Sequence, residues 1–147
     1  MVFKHEQNPL QENIEILLTY PKENKTVQTI ISFINSLDDK IDCYLEGRLK
    51  QISVSDIYYI ESMDKIAVVY CEKDSYKTKY RLYQIYEELA AKGFIQISKY
   101  CIFNINKFDS IRPLFNSRME ITLTNGKHLY VNRNYIDGIE KKLMENE

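Results

Sequence analysis

From residue 13 onward, apolar positions fall into blocks whose spacing changes from one block to the next. Residues 13–20, NIEILLTY, are dense in Ile and Leu and predict a buried strand, closed by the proline and charges of YPKENK. Val27, Ile30, Ile31, Ile34 and Leu37 then recur at helical spacing, so a helix is expected from Lys25 to Leu37, ended by Asp38 and Asp39. Ile41, Cys43 and Leu45 alternate with polar residues up to Gly47, which predicts a strand and a turn. The first 48 residues therefore read as a small acidic β-α-β segment, with dimerisation, contact with a regulator and completion of the core as equal options for its role.

Beyond it the pattern is mainly β with short helices. ISVSDIYYIES, KIAVVYCE and SYKTKYRL read as strands, the last with Lys77, Lys79 and Arg81 on one face. That basic face suits either a ligand or an edge protected against pairing. Leu82, Ile85, Tyr86, Leu89 and Ala90 predict a short helix stopped by Gly93. Met119, Ile121 and Leu123 alternate before TNGK, and Leu129 and Val131 after it, so Asn125 and Gly126 mark a hairpin tip. Tyr135, Ile136, Ile139 and Leu143 predict a final amphipathic helix with Asn132 as N-cap.

One stretch breaks its own rule. In FIQISKYCIFNINKFDSI, residues 94–111, Ile95 and Ile97 share one face of an extended chain, whereas Tyr100 and Ile102 fall on the opposite parity. The slip occurs at Ser98 and Lys99 and demands a bulge or a loop, and bulges re-aim side chains. On residue physics alone, projection away from the sheet and an ordinary solvent-facing turn are equally good readings.

Composition narrows the field. The 147 residues, 44% of them hydrophobic, suffice for one domain with a real core or a small domain with an appendage. No apolar run approaches the roughly 18–20 residues that cross a bilayer, so no membrane insertion and a cytoplasmic location are expected. Cys43, Cys71 and Cys101 lie far apart in apolar runs, which predicts buried reduced thiols. Two histidines, His5 and His128, and four unclustered glycines offer no metal set, no Cys/His pair and no phosphate-cradling loop, so no catalysis and no cofactor are expected. Net charge is only −1, yet residues 1–64 carry 6 Lys/Arg against 11 Asp/Glu, while residues 65–147 carry 14 against 10. The second half suits an anionic partner, and a mixed solvated surface equally explains the imbalance. Lys65 between two strands, Lys99 at the slip and Arg133 at a helix start are the basic residues at breaks in the pattern. Arg133 opposes the helix dipole there unless an anion shares the site.

The order of these elements resembles the LytTR DNA-binding domain of bacterial transcription regulators. Phe94, Ser98 and Lys99, the run Ile102, Phe103 and Asn104, Asn106, Asn125 and Gly126, and Val131, Asn132 and Arg133 match the family's C-terminal pattern. ISVSDIYYIES and YKTKYRLYQIYEEL match its first half, so the likeness runs from Leu49 to Leu143. Gln96, Ile97 and Tyr100 depart from it. The resemblance implies an elongated, mostly β domain over residues 49–147 that inserts loops into successive major grooves of double-stranded DNA. It places base-reading positions at Lys65, at Ser98 and Lys99, and at Arg133. It gives Asn104 a structural task, pairing backbone groups in the following turn. It further implies a stand-alone regulator without a receiver domain, acting as a dimer or as paired monomers on repeated half-sites and held in check by a membrane protein. The rival expectation is a non-enzymatic signalling module whose tyrosine-rich sheet binds a small molecule or a protein strand.

Overall fold

The computed structural model describes residues 1–143. Helix α1 (Lys25–Leu37) opens the regular structure, with the Asn24 side chain accepting from the Val27 amide at 2.9 Å. Ten strands follow: β1 (Lys40–Leu45), β2 (Arg48–Ser53), β3 (Tyr59–Met63), β4 (Ile66–Tyr70), β5 (Ser75–Lys77), β6 (Phe94–Ser98), β7 (Cys101–Asn104), β8 (Phe108–Pro113), β9 (Met119–Leu123) and β10 (His128–Val131). Helix α2 (Leu82–Leu89) separates β5 from β6, and α3 (Ile136–Leu143) follows β10.

The strands form a seven-stranded sheet in the order β2-β1-β5-β4-β3-β7-β6 and a three-stranded sheet in the order β10-β9-β8. The larger sheet is covered on both faces. On one, Ile60, Val69, Phe94 and Ile102 pack with Leu82, Ile85 and Leu89 of α2. On the other, Tyr59, Ile95, Ile97, Cys101 and Phe103 pack against Ile121, Leu123 and Val131 of the second sheet and Ile139 of α3. Strands β6 and β7 are therefore apolar on both parities, as strands buried on both faces are.

This arrangement resolves the slip in residues 94–111. The chain reverses there: β6 and β7 are antiparallel partners joined through Lys99 and Tyr100, and the register shifts by a bulge between Gln96 and Ser98. The two-residue reversal alone would swap the parity and the bulge restores it, so Ile95, Ile97, Cys101 and Phe103 face the second sheet while Phe94 and Ile102 face α2, and the slip reflects apolar residues on both faces. Phe94, Ile95, Ile97, Ile102 and Phe103 are all buried and anchor the hairpin.

Three expectations need correction. Residues 13–20 form no strand and are almost wholly exposed. A β-α-β unit would have paired them beside β1, but both sides of β1 are taken, by β2 and by β5. Strand β5 stops at Lys77 rather than reaching Leu82, because the Thr78 hydroxyl turns the chain, donating to the Tyr80 carbonyl at 3.0 Å and accepting from its amide at 3.2 Å. Lys77, Lys79 and Arg81 thus share no strand face, and Lys79 instead lies over the Tyr44 ring at 4.8 Å. Finally, α1 buries Val27 and Ser36 fully but leaves Ile31 and Leu37 exposed, so it lies on the domain along a narrower stripe than its periodicity suggests. It is tied down by Lys92 reaching Asp39 at 2.6 Å and by the bare Gly93, where an added Cβ would meet Ser32 Oγ at 3.1 Å.

Candidate nucleic-acid interface

Each predicted site residue sits where the chain turns. Asp64 and Lys65 form the two-residue tip of the β3–β4 hairpin, between the paired residues Met63 and Ile66. Both have positive φ, 51° and 68°, the pattern that favours Asn-Gly in such turns. Holding two side-chain-bearing residues there costs on the order of 1 kcal/mol each. Lys99 and Tyr100 form the tip of the β6–β7 hairpin, and both are exposed. Arg133 begins a single 3-10 turn, Arg133–Tyr135, that leads into α3. Asn132 caps that turn, its side chain accepting from the Asn134 amide at 3.1 Å, as its sequence position predicts.

The main sheet brings these turns to one end. Antiparallel pairing of β3 with β7 sets the end of β3 beside the start of β7, and the Ser62 amide donates to the Tyr100 carbonyl at 2.8 Å. The Asn132 amide donates to the Ile97 carbonyl, also at 2.8 Å, which fixes the Arg133 turn beside the end of β6. Lys65, Lys99 and Arg133 therefore stand in sequence along one rim, separated by strands that themselves carry little freedom. Among the described residues, the ion pairs formed by Asp39, Glu120 and their partners include none of these three cations. Lys99 lies 5.7 Å from the centre of the Tyr100 ring.

Ser98 has a different position. It is half-buried, and its hydroxyl oxygen accepts from the Tyr100 amide at 3.1 Å. It shapes the hairpin tip from below while its own proton remains able to donate. Asn104 is buried and structural, as the sequence implies: its amide donates to the Ile57 carbonyl at 2.9 Å, and its carbonyl oxygen accepts from the Asn106 amide at 3.0 Å.

The structure adds a cation that the sequence reading omitted. Residues 114–118 connect β8 to β9 at the same end of the small sheet as Val131, which pairs with Met119. Asn116 and Ser117 there have positive φ, 67° and 57°, and the Leu114 amide closes the loop on the Arg118 carbonyl at 2.8 Å. Arg118 lies over the Tyr130 ring at 5.3 Å. With Asn116, Ser117, Asn132 and Arg133 it lines an open pocket of about 410 Å³, rich in donors suited to an anionic oxygen. A polar triplet, Asn116, Ser117 and Arg118, just before a strand was the available signal. The two histidines lie elsewhere: His5 stacks on Phe3, and His128 hydrogen-bonds Thr122 at 2.9 Å.

Sequence and structure comparisons identify the family and the fold. The family model described as the LytTr DNA-binding domain matches residues 47–144. The sensory transduction protein LytT of Enterococcus faecalis is 30% identical over 98 residues, which cover 67% of this chain and 40% of that protein. An uncharacterized HTH-type transcriptional regulator of Staphylococcus aureus is 29% identical over 125 residues, covering 84% of each. The chain thus spans less than half the length of the first relative and most of the second. Among solved structures, a LytTr DNA-binding domain from Bacillus cereus superposes with a TM-score of 0.68 at 24% identity, over 72% of this chain and 97% of that one. The chain belongs to the LytTr DNA-binding domain family.

Proposed function

We propose that the protein is a DNA-binding transcription regulator that reads duplex DNA with the rim formed by Lys65, Lys99 and Arg133, inserting these turns into successive major grooves. The observation that carries the proposal is the pair of backbone hydrogen bonds, Ser62 to Tyr100 and Asn132 to Ile97, that locks three basic turns from separate parts of the chain into one row. Neighbouring strands lie about 4.8 Å apart, so the β3–β4 and β6–β7 tips are spaced by about two strand intervals, or roughly 10 Å. A B-DNA major groove is about 12 Å wide, so these two tips share one groove, and the Arg133 turn with the adjoining Arg118 loop extends the rim toward the next.

The chemistry divides the labour. Lys99 and Arg133 can donate to guanine O6 and N7 or to phosphate oxygens, and Lys65 reaches the same targets from the neighbouring tip. Ser98 both holds the Lys99 turn and keeps one donor for the nucleic acid. Arg118 adds a phosphate contact beside Arg133. No catalytic step is part of the proposal. The regulator works in the cytoplasm, as a dimer or as paired monomers on repeated half-sites. Its restraint by a membrane-protein partner is a further element carried by the resemblance to short relatives.

Selection of bound sites from a random duplex pool tests the proposal. Recovery of a recurrent motif with a fixed half-site spacing supports it. Weak binding without any sequence preference, unaffected by removing the Lys99 and Arg133 side chains, contradicts it.

A further inference from the structure

Residues 13–20 and strand β2 are two unfinished halves of the same kind of contact. Residues 13–20 alternate in the manner of a strand, with Ile14, Ile16, Leu18 and Tyr20 on one side, yet they lie unpaired, Ile14 at 91% and Leu17 at 87% exposure. Strand β2 is the last strand of the seven-stranded sheet, paired with β1 alone, and its outer side presents free backbone groups. Four of its six residues are exposed, including Leu49 at 60%. Arg48 and Lys50 are the kind of charges that blunt an edge, so a strand that pairs here must answer them with the opposite sign.

We propose that the protein dimerises by reciprocal strand exchange, residues 13–20 of each copy adding an antiparallel strand to β2 of the other. Charge selects a second copy of this chain as the occupant. The segment carries Glu15, with Glu12 just ahead of it, whereas β2 carries Arg48 and Lys50. One register satisfies both charge and hydrophobicity. With Glu15 opposite Lys50, an antiparallel strand sets Ile16 opposite Leu49, an opposite-charge pair on one face and an apolar pair on the other. A closed two-fold dimer makes each pair twice and covers both free edges. The β2 edge is the far end of the sheet from β6, which lies beside the basic rim, so the contact leaves that rim open. The inference does not depend on what the rim binds.

Sedimentation equilibrium of the full chain, without DNA, reads the result directly. The unaltered protein is expected to show a concentration-dependent dimer. Glu15→Lys and Lys50→Glu should each weaken it about 10-fold or more, because like charges then face each other twice per dimer. The double variant should return toward the original dissociation constant. Ile16→Lys should give a monomer with an unchanged circular dichroism spectrum, since Ile16 is 59% exposed and lies outside every helix and strand of its own chain. A monomer at every concentration overturns the proposal. So does a dimer indifferent to both charge reversals, or a double variant no better than the singles. A monomer whose melting temperature falls on Ile16→Lys also overturns it, because the segment then closes on its own sheet.

Discussion

At the residue scale, the rim separates side chains that hold the turns from side chains that the turns present. Asn104, at the end of β7 away from the rim, holds a turn of its own: its amide donates to the buried Ile57 carbonyl and its carbonyl oxygen accepts from the half-buried Asn106 amide. Asn104→Ala strands a carbonyl and an amide and should lower unfolding free energy by about 2–3 kcal/mol in urea titration, at roughly 1 kcal/mol or more for each buried unsatisfied group. Lys99 and Arg133 belong to the second group. Lys99→Ala and Arg133→Ala should each cost about 1–3 kcal/mol of affinity for a selected site if they read bases, with the urea midpoint unmoved. The thiols mark the interior in a separate way. Burial pushes Cys43 and Cys101 up to about 12 and Cys71 to about 11, so hardly any thiolate exists at pH 8. In native protein treated with iodoacetamide at pH 8, the buried Cys43 and Cys101 should stay unlabelled until urea is added, as the cysteine spacing implied, while Cys71, which is only half-buried against that expectation, should label slowly. The polar triplet before β9 hints at a loop, but Arg118 did not stand out in the sequence for a physical reason. Its place is set by two consecutive left-handed residues, Asn116 and Ser117, and neither is a glycine that would have announced the turn.

At the element scale, the periodic helix α1, the hairpin at Asn125 and Gly126, the helix stop at Gly93 and the Asn132 cap were all legible, because each rests on local chemistry. What local chemistry did not supply was partnership. Residues 13–20 have a strand's composition but no vacant neighbour at β1, and the run after Lys77 has a strand's alternation but is diverted by the Thr78 hydroxyl. The stretch from Phe94 misled in the opposite direction. Its parity break comes from apolar residues on both faces of a reversed chain, visible only once β7 is seen lying between β3 and β6. The β3–β4 tip offers the sharpest test of an element built for use rather than for stability. Lys65→Gly relieves a positive φ of 68° while adding backbone entropy to the unfolded chain, two effects of similar size. Stability should stay within about 0.5 kcal/mol of the unaltered protein while DNA affinity falls. A loss of stability with no change in affinity would assign Lys65 to the turn alone.

At the scale of the whole molecule, a net charge of −1 conceals a basic rim. The acidic first 64 residues lie in α1, β1, β2 and β3 and their flanks, while the cations of the second half include all four at the rim, Lys65, Lys99, Arg118 and Arg133. Sequence order foretold the family and the three basic turns. It did not foretell that one end of one sheet would collect them, since that follows from the antiparallel pairing of β3 with β7 and from the Asn132 to Ile97 bond. The central claim is that this rim contacts DNA through its cations. It is tested most directly by measuring affinity for a selected duplex from about 50 to 200 mM salt, for the unaltered protein and for Arg133→Ala. Each phosphate-neutralising cation contributes close to 0.9 to the slope of log affinity against log salt. The account predicts a steep fall in affinity with salt for the unaltered chain. It also predicts for Arg133→Ala either a slope shallower by about 1, if the contact is to phosphate, or an unchanged slope with lost discrimination between selected and scrambled sites, if it is to a base. Affinity independent of salt, or an Arg133→Ala variant matching the unaltered protein in both slope and discrimination, would contradict it.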